Sequence, residues 1–390
     1  MRDDFLPYCR PDISTGEVDA VTECLRNGWL TTGPKVREFE EAFAAASGVK
    51  HALAVNSCTA ALHIGLLAAG VQPGDDVVMP ALTFVAGAQC ALEIGARPVF
   101  CDVDEQTLTA GVDEFRAALT PKTRALIAMP YAGRPMNVRA LVEFASERGI
   151  AVIEDAAHAA GTLDAGEWCG VHSALAAYSF YATKNLTTAE GGMLLTNDDA
   201  LAERARGLSL HGMDRDAWKR YAARASWRYD VLEPGFKYNM PDLAAAMGLA
   251  QLRRLERMQA RREEIAGRYL DAFAPVPAIA CQTRVQNAGD RHSWCMFVIK
   301  LEASIDRDAA IEYLKERNIG TSVHYIPTHR FSAYKDLADP QRLPVTERVW
   351  RHIISLPLYP SMSDADADDV IDAVISCISP RKQASAMLAS

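Results

Sequence analysis

Short apolar runs alternate with helical patterns between residues 51 and 154. The apolar runs predict five strands, at His51–Val55, Asp76–Met79, Arg97–Asp102, Ala125–Met129 and Ala151–Glu154. The helical patterns between them lie at Thr59–Ala69, Phe84–Ile94 and Val138–Arg148. Because parallel neighbours in a sheet need a long crossover, this alternation favours a largely parallel sheet covered by helices. The sequence therefore predicts an α/β fold.

The next part of the chain departs from this alternation. Two apolar runs, Ala174–Phe180 and Met193–Leu195, are separated only by a polar stretch that ends in Gly191–Gly192. That connection is too short for a helical crossover, so at least one antiparallel strand is expected to join the sheet. A long amphipathic segment follows, and Pro241 is well placed near its start because its missing N–H would be unpaired there anyway.

The pattern after about residue 275 predicts a smaller α+β unit. Strands are expected at Ser293–Leu301 and Gly320–Tyr325, and helices at Asp306–Arg317, Val345–Ile353 and Asp364–Ile378. We therefore predict a large domain over residues 1–260, including an N-terminal segment, and a small C-terminal α+β domain over residues 261–390.

Charge and cysteine content narrow the class of protein. The 390 residues carry 41 Lys and Arg against 50 Asp and Glu, a net charge of −9, which disfavours nonspecific binding to nucleic acid or anionic membranes. The longest apolar runs are broken by Gly, Pro or charge, and the N-terminus lacks the apolar core of a signal peptide. Nine scattered cysteines without a CxxC pair indicate reduced thiols. A cytoplasmic protein without a metal site is expected.

Common nucleotide-binding motifs are absent, so any cofactor must be held in another way. Neither GxGxxG after a strand nor GxxxxGK[ST] occurs, and HExxH and EF-hand loops are also missing. The first predicted strand ends at Val55, and a helix begins near Ser57, Cys58 and Thr59. Free N–H groups there favour an anion, although a simple helix cap would explain the same residues.

Two further strand ends carry groups that could do chemistry. Asp155 and His158 follow an apolar strand, at the sheet edge where open α/β folds bind ligands. The alternatives are a helix cap for Asp155 and a structural role for His158. Lys184 follows the run that ends in Ser179-Phe180 and could be a desolvated, nucleophilic amine. Its alternative is a lysine that extends from a strand end to solvent.

Together the three strand ends match the needs of one cofactor, pyridoxal 5′-phosphate (PLP). Its phosphate needs a helix N-terminus, its pyridine nitrogen needs an acidic partner, and its aldehyde needs a lysine. Residues 57–59, Asp155 and Lys184 could supply these groups.

Six motifs make the chain resemble the DegT/DnrJ/EryC1/StrS family of PLP-dependent sugar aminotransferases. They are Gly28-Trp29-Leu30-Thr31-Thr32-Gly33-Pro34, Asn56-Ser57-Cys58-Thr59-Ala60-Ala61-Leu62-His63, Glu154-Asp155-Ala156-Ala157-His158, Ser179-Phe180-Tyr181-Ala182-Thr183-Lys184-Asn185, Glu190-Gly191-Gly192 and Tyr238-Asn239-Met240-Pro241. The likeness runs from Pro7 to about Pro360. It is greatest to the UDP-4-amino-4-deoxy-L-arabinose aminotransferase branch and extends to residues 231–239.

The resemblance implies a fold-type I aminotransferase, with a mostly parallel sheet of the seven-stranded type and a homodimer whose sites lie at the subunit interface. Lys184 would be the catalytic residue: it would bond to the PLP aldehyde and would move a proton during turnover. Pyridoxamine phosphate would be the aminated form of the cofactor during that turnover. The implied cofactor-binding residues are Cys58, Thr59 and Ser179 for the phosphate, Asp155 for the ring nitrogen, His158 for the ring hydroxyl, Phe84 for the ring face, and Asn239 from the partner subunit.

The implied substrates are glutamate, which leaves as 2-oxoglutarate, and a nucleotide-linked 4-keto sugar. The resemblance places Trp29, Thr31, His324, Tyr325 and His329 near the sugar. Residues 204–229 mix basic and aromatic side chains, including Arg228, that could clamp a diphosphate and stack on a base. For most of these charges a solvated surface loop is the plainer explanation. Cys58, often Ala or Gly in relatives, and Tyr181, often His, depart from the family pattern.

Two other functions are compatible with the same motifs. The first is a PLP enzyme that aminates C3 of a sugar or a cyclitol ketone. Only the substrate pocket distinguishes this function from amination of a 4-keto sugar. The second is a PLP-binding regulatory protein without turnover. Such proteins usually carry an added DNA-binding module, and no basic N-terminal helix-turn-helix is present in this sequence.

Overall fold

A computed structural model describes residues 2–213, 229–285 and 287–378. Within these residues the main sheet has seven strands in the order β1-β9-β8-β5-β4-β2-β3. The strands are β1 His51–Val55, β2 Asp76–Pro80, β3 Arg97–Cys101, β4 Thr123–Ala128, β5 Ala151–Asp155, β8 Leu175–Ser179 and β9 Gly192–Thr196. A short hairpin, β6 Leu163–Asp164 with β7 Glu167–Trp168, lies between β5 and β8 in the chain.

The sheet brings several strand ends to one edge. Strands β3, β2, β4, β5 and β8 pair in parallel, and β9 pairs antiparallel with both β8 and β1. Strand β1 therefore runs in the same direction as β5 and β8. Because β9 runs the other way, its first residue, Gly192, lies at the edge where those three strands end. The expected α/β sheet with one antiparallel strand is confirmed.

Helices cover both faces of this sheet, because parallel strands are joined by helical crossovers that pack on the sheet. They are α3 Cys58–Ala68, α4 Ala86–Ile94, α5 Val112–Ala118, α6 Val138–Ser146 and α7 Asp199–Ser209. Helix α3 is the most enclosed, since Ala60–Leu66 is buried throughout. It contacts β8, β9, α4 and α7. Its N-terminus is thereby fixed against the sheet edge where β1, β5 and β8 end.

Two N-terminal helices, α1 Thr15–Asn27 and α2 Pro34–Ser47, pack on the long helix α8, Asp242–Phe273. Helix α2 has no capping side chain of its own at Gly33. Asp242, the first residue of α8, supplies it: Oδ1 accepts from Gly33 N at 2.8 Å and Val36 N at 3.0 Å, and Oδ2 accepts from Lys35 N at 3.1 Å. One buried carboxylate therefore joins the starts of two helices.

The C-terminal part contains a three-stranded antiparallel sheet of β10 Ile279–Cys281, β11 Phe297–Leu301 and β12 Ile353–Leu356. Helices α9 Arg307–Lys315, α10 Pro344–Val349 and α11 Asp364–Ile378 complete it. Helix α8 runs without interruption through residue 260, so the predicted domain boundary at 260/261 lies inside a helix. The division into two domains at that point stays a prediction.

Two predictions in the C-terminal part are wrong. Gly320–Tyr325 contains one isolated bridge and no strand, because its backbone is divided between two neighbours: Gly320 N donates to Leu6 O, and Ser322 pairs with Ser355. The predicted helix Val345–Ile353 stops at Val349, and Ile353 begins strand β12. A short apolar run such as Ile353–Leu356 does not distinguish helix from strand by periodicity.

No helix in the described residues is both long and apolar enough to cross a membrane.

Candidate active site

The N-terminus of helix α3 forms an anion-binding cradle. Ser57 Oγ accepts from Ala60 N at 3.0 Å, so the cap is satisfied without using the N–H groups of Cys58 and Thr59. Those two N–H groups have no acceptor among the described residues. A Cβ on Gly192 would lie 2.5 Å from Ser57 C and 2.7 Å from Cys58 N, so only glycine permits this approach. Ser179, the register partner of Gly192, brings its hydroxyl to the same edge.

Asp155 is a buried carboxylate at the end of β5, only 3% exposed. Its Oδ1 accepts from Ala157 N at 3.2 Å and lies 3.9 Å from Cys58 Sγ. No described residue donates to Oδ2. Burial raises the pKa of the Asp155 carboxyl, while the hydrogen bond from Ala157 and the Lys184 charge lower it. A carboxylate held in this way gains from a cationic N–H partner.

His158 lies one turn beyond Asp155 and is 1% exposed. Its Nε2 is 2.9 Å from the hydroxyl of Tyr325, and the two rings are nearly parallel with centroids 6.0 Å apart. Its Nδ1 is buried and has no partner among the described residues. Burial holds the pKa of His158 well below its usual range, and the nearby Lys184 lowers it further. The imidazole is therefore neutral.

Lys184 is half-buried in the loop after β8. Its backbone N–H donates to Tyr181 O at 2.9 Å, and Cys9 Sγ donates to the carbonyl of the preceding Thr183 at 3.4 Å. Its ammonium has no hydrogen bond or ion pair within the described residues. Its charge nevertheless influences the pKa values of Cys58, Asp155, His158 and His324, so the amine lies within electrostatic reach of all four side chains.

His324 approaches this group from the C-terminal part of the chain. Its Nδ1 is 2.8 Å from the hydroxyl of fully buried Ser355, and its carbonyl accepts from the Tyr131 hydroxyl. Tyr8 packs beside the imidazole with a centroid distance of 5.2 Å. Burial lowers the pKa of His324 to about 4, with a further contribution from Lys184, so this ring is neutral too.

Aromatic side chains remain exposed around the cluster. Phe84 is 54% exposed, and its ring lies 6.1 Å from that of Tyr325. Tyr181 is 48% exposed, three residues before Lys184. Exposed rings beside a polar, buried cluster offer flat apolar surfaces for a ligand.

Three predicted residues lie together at a second place. Trp29 Nε1 donates to Thr32 O at 3.3 Å, and Thr31 O accepts from Asp242 N at 3.2 Å. Asn239 Nδ2 donates to Thr32 Oγ1 at 2.6 Å. None of these contacts reaches the Lys184 cluster of the same chain. Asn239 also bridges Val55, the last residue of β1, so the surface with Trp29, Thr31 and Asn239 adjoins the segment that leads into the α3 cradle.

The two remaining predicted residues are not brought into the cluster. His329 is buried against Phe100, and its Nε2 lies 2.7 Å from Glu347 Oε1. Its contacts do not include any member of the Lys184 group. Arg228 lies outside the described residues, and of the neighbouring arginines Arg206 pairs with Glu40 at 3.2 Å.

Tyr8, Cys9 and Ser355 are site residues that the sequence analysis did not single out. Residues 6–9 are held in place because Leu6 exchanges backbone hydrogen bonds with Asn318 and Gly320. The family resemblance begins at Pro7, directly before Tyr8 and Cys9, and this position was a signal for those two residues. Nothing in the sequence pattern indicated Ser355, whose role depends on a pairing between Ser322 and strand β12.

The donors and acceptors present fit PLP. Free N–H groups at α3 suit a phosphate, the open Oδ2 of Asp155 suits a protonated ring nitrogen, and the unpaired Nδ1 of His158 suits a ring oxygen. The unpaired amine of Lys184 suits an aldehyde. No cluster of three metal-binding side chains occurs among the residues that the structure describes.

Comparisons with known proteins agree with this assignment. The model of the DegT/DnrJ/EryC1/StrS aminotransferase family matches residues 11–375. The spore coat polysaccharide biosynthesis protein SpsC of Bacillus subtilis (strain 168) is 48% identical over 383 residues, 96% of this chain and 97% of that protein. The aminotransferase TlmJ from Streptoalloteichus hindustanus superposes with a TM-score of 0.89 and 36% identity, over 96% of this chain and 99% of TlmJ. The PLP form of Spr1654 from Streptococcus pneumoniae superposes with a TM-score of 0.88 and 30% identity, over 96% of this chain and 100% of Spr1654. The PMP form of Spr1654 is also similar.

Proposed function

The chain belongs to the DegT/DnrJ/EryC1/StrS family of PLP-dependent sugar aminotransferases, and we propose that it transfers an amino group from glutamate to the keto carbon of a nucleotide-linked 4-keto sugar. The observation that carries the proposal is the unpaired Lys184 amine, which lies within electrostatic reach of Asp155 and His158 at one sheet edge. Membership of the UDP-4-amino-4-deoxy-L-arabinose branch stays a prediction.

When bound, PLP supplies an aldehyde that reacts with amines and a protonated ring that accepts electrons from the adjacent carbon. The N–H groups of Cys58 and Thr59, with the Ser179 hydroxyl, would hold its phosphate. Asp155 would hold the proton on its ring nitrogen, and the buried position of this carboxylate would keep water from competing for that contact. Lys184, whose amine has no competing partner among the described residues, would move the proton that the reaction transfers.

The acceptor is proposed from the relatives and from the exposed rings. SpsC is described as a spore coat polysaccharide biosynthesis protein, and the family acts on sugars. Phe84 and Tyr181 present apolar ring surface beside the Lys184 group, which suits stacking against a sugar or a base. A nucleotide-linked 4-keto sugar combines both kinds of surface with the ketone that transamination needs.

We also place the enzyme in the cytoplasm as a homodimer with shared sites. The exposed apolar side chains include two adjacent pairs, Trp29 with Leu30 and Val231 with Leu232. Trp29 adjoins Thr31 and Asn239, whose hydrogen bonds do not involve Asp155, His158 or Lys184 of their own chain. A second copy that covers these segments would bring Asn239 to its neighbour's cofactor phosphate.

A spectral titration tests the proposed reaction. Glutamate is expected to bleach the absorbance of bound PLP, and one member of a panel of UDP- and dTDP-linked 4-keto sugars is expected to restore it. Lys184→Ala should abolish both steps, whereas Lys50→Ala, which removes an exposed lysine paired with Asp199, should leave them intact. Bleaching without recovery would reject the 4-keto acceptor and direct the search to 3-keto sugars and cyclitols. Multiple turnovers by Lys184→Ala would reject the catalytic assignment.

A further inference from the structure

The contact between Tyr325 and His158 links two distant parts of the chain inside the candidate site. Tyr325 belongs to the segment after α9, and His158 follows strand β5. Their side chains meet at 2.9 Å through the tyrosine hydroxyl and Nε2. Burial raises the pKa of the Tyr325 hydroxyl well above its usual range, so this hydroxyl keeps its proton.

The direction of this hydrogen bond follows from the available partners. Among the described residues the Tyr325 hydroxyl has no acceptor other than His158 Nε2. A neutral imidazole carries one proton, on either Nδ1 or Nε2. If Nε2 accepts the tyrosine proton, the imidazole proton must lie on Nδ1.

The other nitrogen of the ring is then a buried donor without an acceptor. His158 is 1% exposed, and no described residue accepts from Nδ1. A buried donor normally has a partner, and an unpaired one inside a ligand site is available to the ligand. The neighbouring groups are Asp155 and Lys184, which the fit to PLP assigns to the ring nitrogen and the aldehyde.

We propose that Tyr325 is a positioning residue that fixes His158 as the Nδ1–H tautomer, so that this N–H donates to the ring oxygen of PLP. Tyr325 acts through His158 and does not need to touch the sugar. Without the tyrosine hydroxyl, His158 would exchange between tautomers, and in one of them Nδ1 would present a lone pair to an anionic oxygen. The inference rests on the placement of PLP beside His158 in the proposed function.

The first measurement reads the tautomer directly in the full chain without PLP. Protein labelled with 15N-histidine is compared by long-range proton–nitrogen NMR, and the His158 signals are those lost in His158→Gln. We expect a protonated Nδ1 and an unprotonated Nε2 in the wild type, and a shift toward the Nε2–H form in Tyr325→Phe. An Nδ1–H tautomer that persists in Tyr325→Phe would overturn the proposal. This result depends on neither glutamate nor sugar, so it stands apart from the proposed function.

The second measurement is the dissociation constant of PLP. Tyr325→Phe should weaken PLP binding by about five- to tenfold, the effect of losing one well-placed hydrogen bond. Tyr334→Phe is the matched control, because its hydroxyl donates to Gln89 at 3.0 Å outside the Lys184 group, and it should leave binding unchanged. A changed tautomer with unchanged PLP binding would contradict the assigned hydrogen bond to the ring oxygen.

A double substitution separates positioning from a general structural effect. If Tyr325 acts through His158, Tyr325→Phe should add no further loss of PLP affinity in a His158→Gln background. An equal loss in both backgrounds would show that Tyr325 contributes by another route, which would overturn the positioning role.

Discussion

Buried neutral histidines are the most distinctive single residues in this protein. His158, His292 and His324 all have pKa values below the usual range for histidine, and burial is the main cause in each case. His292 lies outside the Lys184 group, where its ring stacks on Trp294 at 3.8 Å and its Nδ1 accepts from Trp294 N at 2.9 Å. It therefore allows the linkage between protonation and stability to be tested without changing the catalytic residues.

The His292 pKa predicts a specific pH dependence of stability. The unfolded chain binds a proton at this histidine below about pH 6.5, whereas the folded protein does not, so its contribution to the free energy of unfolding is full above that pH and is lost as the pH falls. His292→Asn keeps an acceptor for Trp294 N but cannot titrate. Urea unfolding between pH 7.5 and 5 should show a flatter pH dependence in this variant, by up to about 1.4 kcal/mol per pH unit. Parallel curves for the two proteins would contradict the assignment.

At the level of secondary-structure elements, the shared cap at Asp242 determines where the surface with Trp29 and Thr31 lies. The loop between α1 and α2 ends at Gly33, whose N–H donates to Asp242. Thr31 is bound to the same residue through its carbonyl. The start of α8 thereby fixes both the beginning of α2 and the loop that precedes it.

Asp242→Ala should be more harmful than the loss of an ordinary helix cap. It leaves three N–H groups beside a buried position without an acceptor, so we expect a loss of about 2–4 kcal/mol in the free energy of unfolding. Asp306→Ala is the matched control, since this N-cap aspartate of α9 serves Asp308 N and Ala309 N, and it should cost about 1 kcal/mol. Urea unfolding of both variants measures the difference. Equal losses would mean that Asp242 acts only as an ordinary cap.

The local pattern predicted the elements well where each element buries its own apolar residues. Strand β1 at His51–Val55 and helix α11 at Asp364–Ile378 have the predicted bounds, because their periodicity and flanking residues agree. Gly320–Tyr325 failed because its backbone partners, Leu6 and Ser355, come from opposite ends of the chain. Motifs at strand ends led to Lys184, Asp155 and His158. The partner of His158 could not be found in this way, since Tyr325 is 167 residues away.

The whole molecule is expected to be active only as a pair of chains. Lys184→Ala and Asn239→Ala should each lower the aminotransferase activity of a homodimer in which both chains carry the substitution. In a hybrid of the two variants, one site has lost both groups, and the other has Lys184 from one chain and Asn239 from its partner. An equal mixture refolded or expressed together should regain about a quarter of the wild-type rate, because half the dimers are hybrids with one complete site each.

The complementation assay has a built-in control. Lys184→Ala mixed with Lys184→Ala/Asn239→Ala cannot form a complete site and should stay inactive. If the hybrid of the two single variants is also inactive while light scattering shows a dimer, Asn239 serves its own chain and the shared-site arrangement is wrong. A monomer by light scattering would reject the dimer itself.

The hydrogen bond between His158 and Tyr325 joins residues that the ribosome adds at very different times. A growing chain completes the main sheet at Thr196, but Tyr325 is added about 130 residues later. At typical elongation rates of 5–20 residues per second, that interval is roughly 6–26 seconds. During this time His158 has been synthesised but Tyr325 has not. The Tyr325–His158 contact forms only after the C-terminal part has been translated, so we expect the complete vitamin B6 site to be a late product of folding.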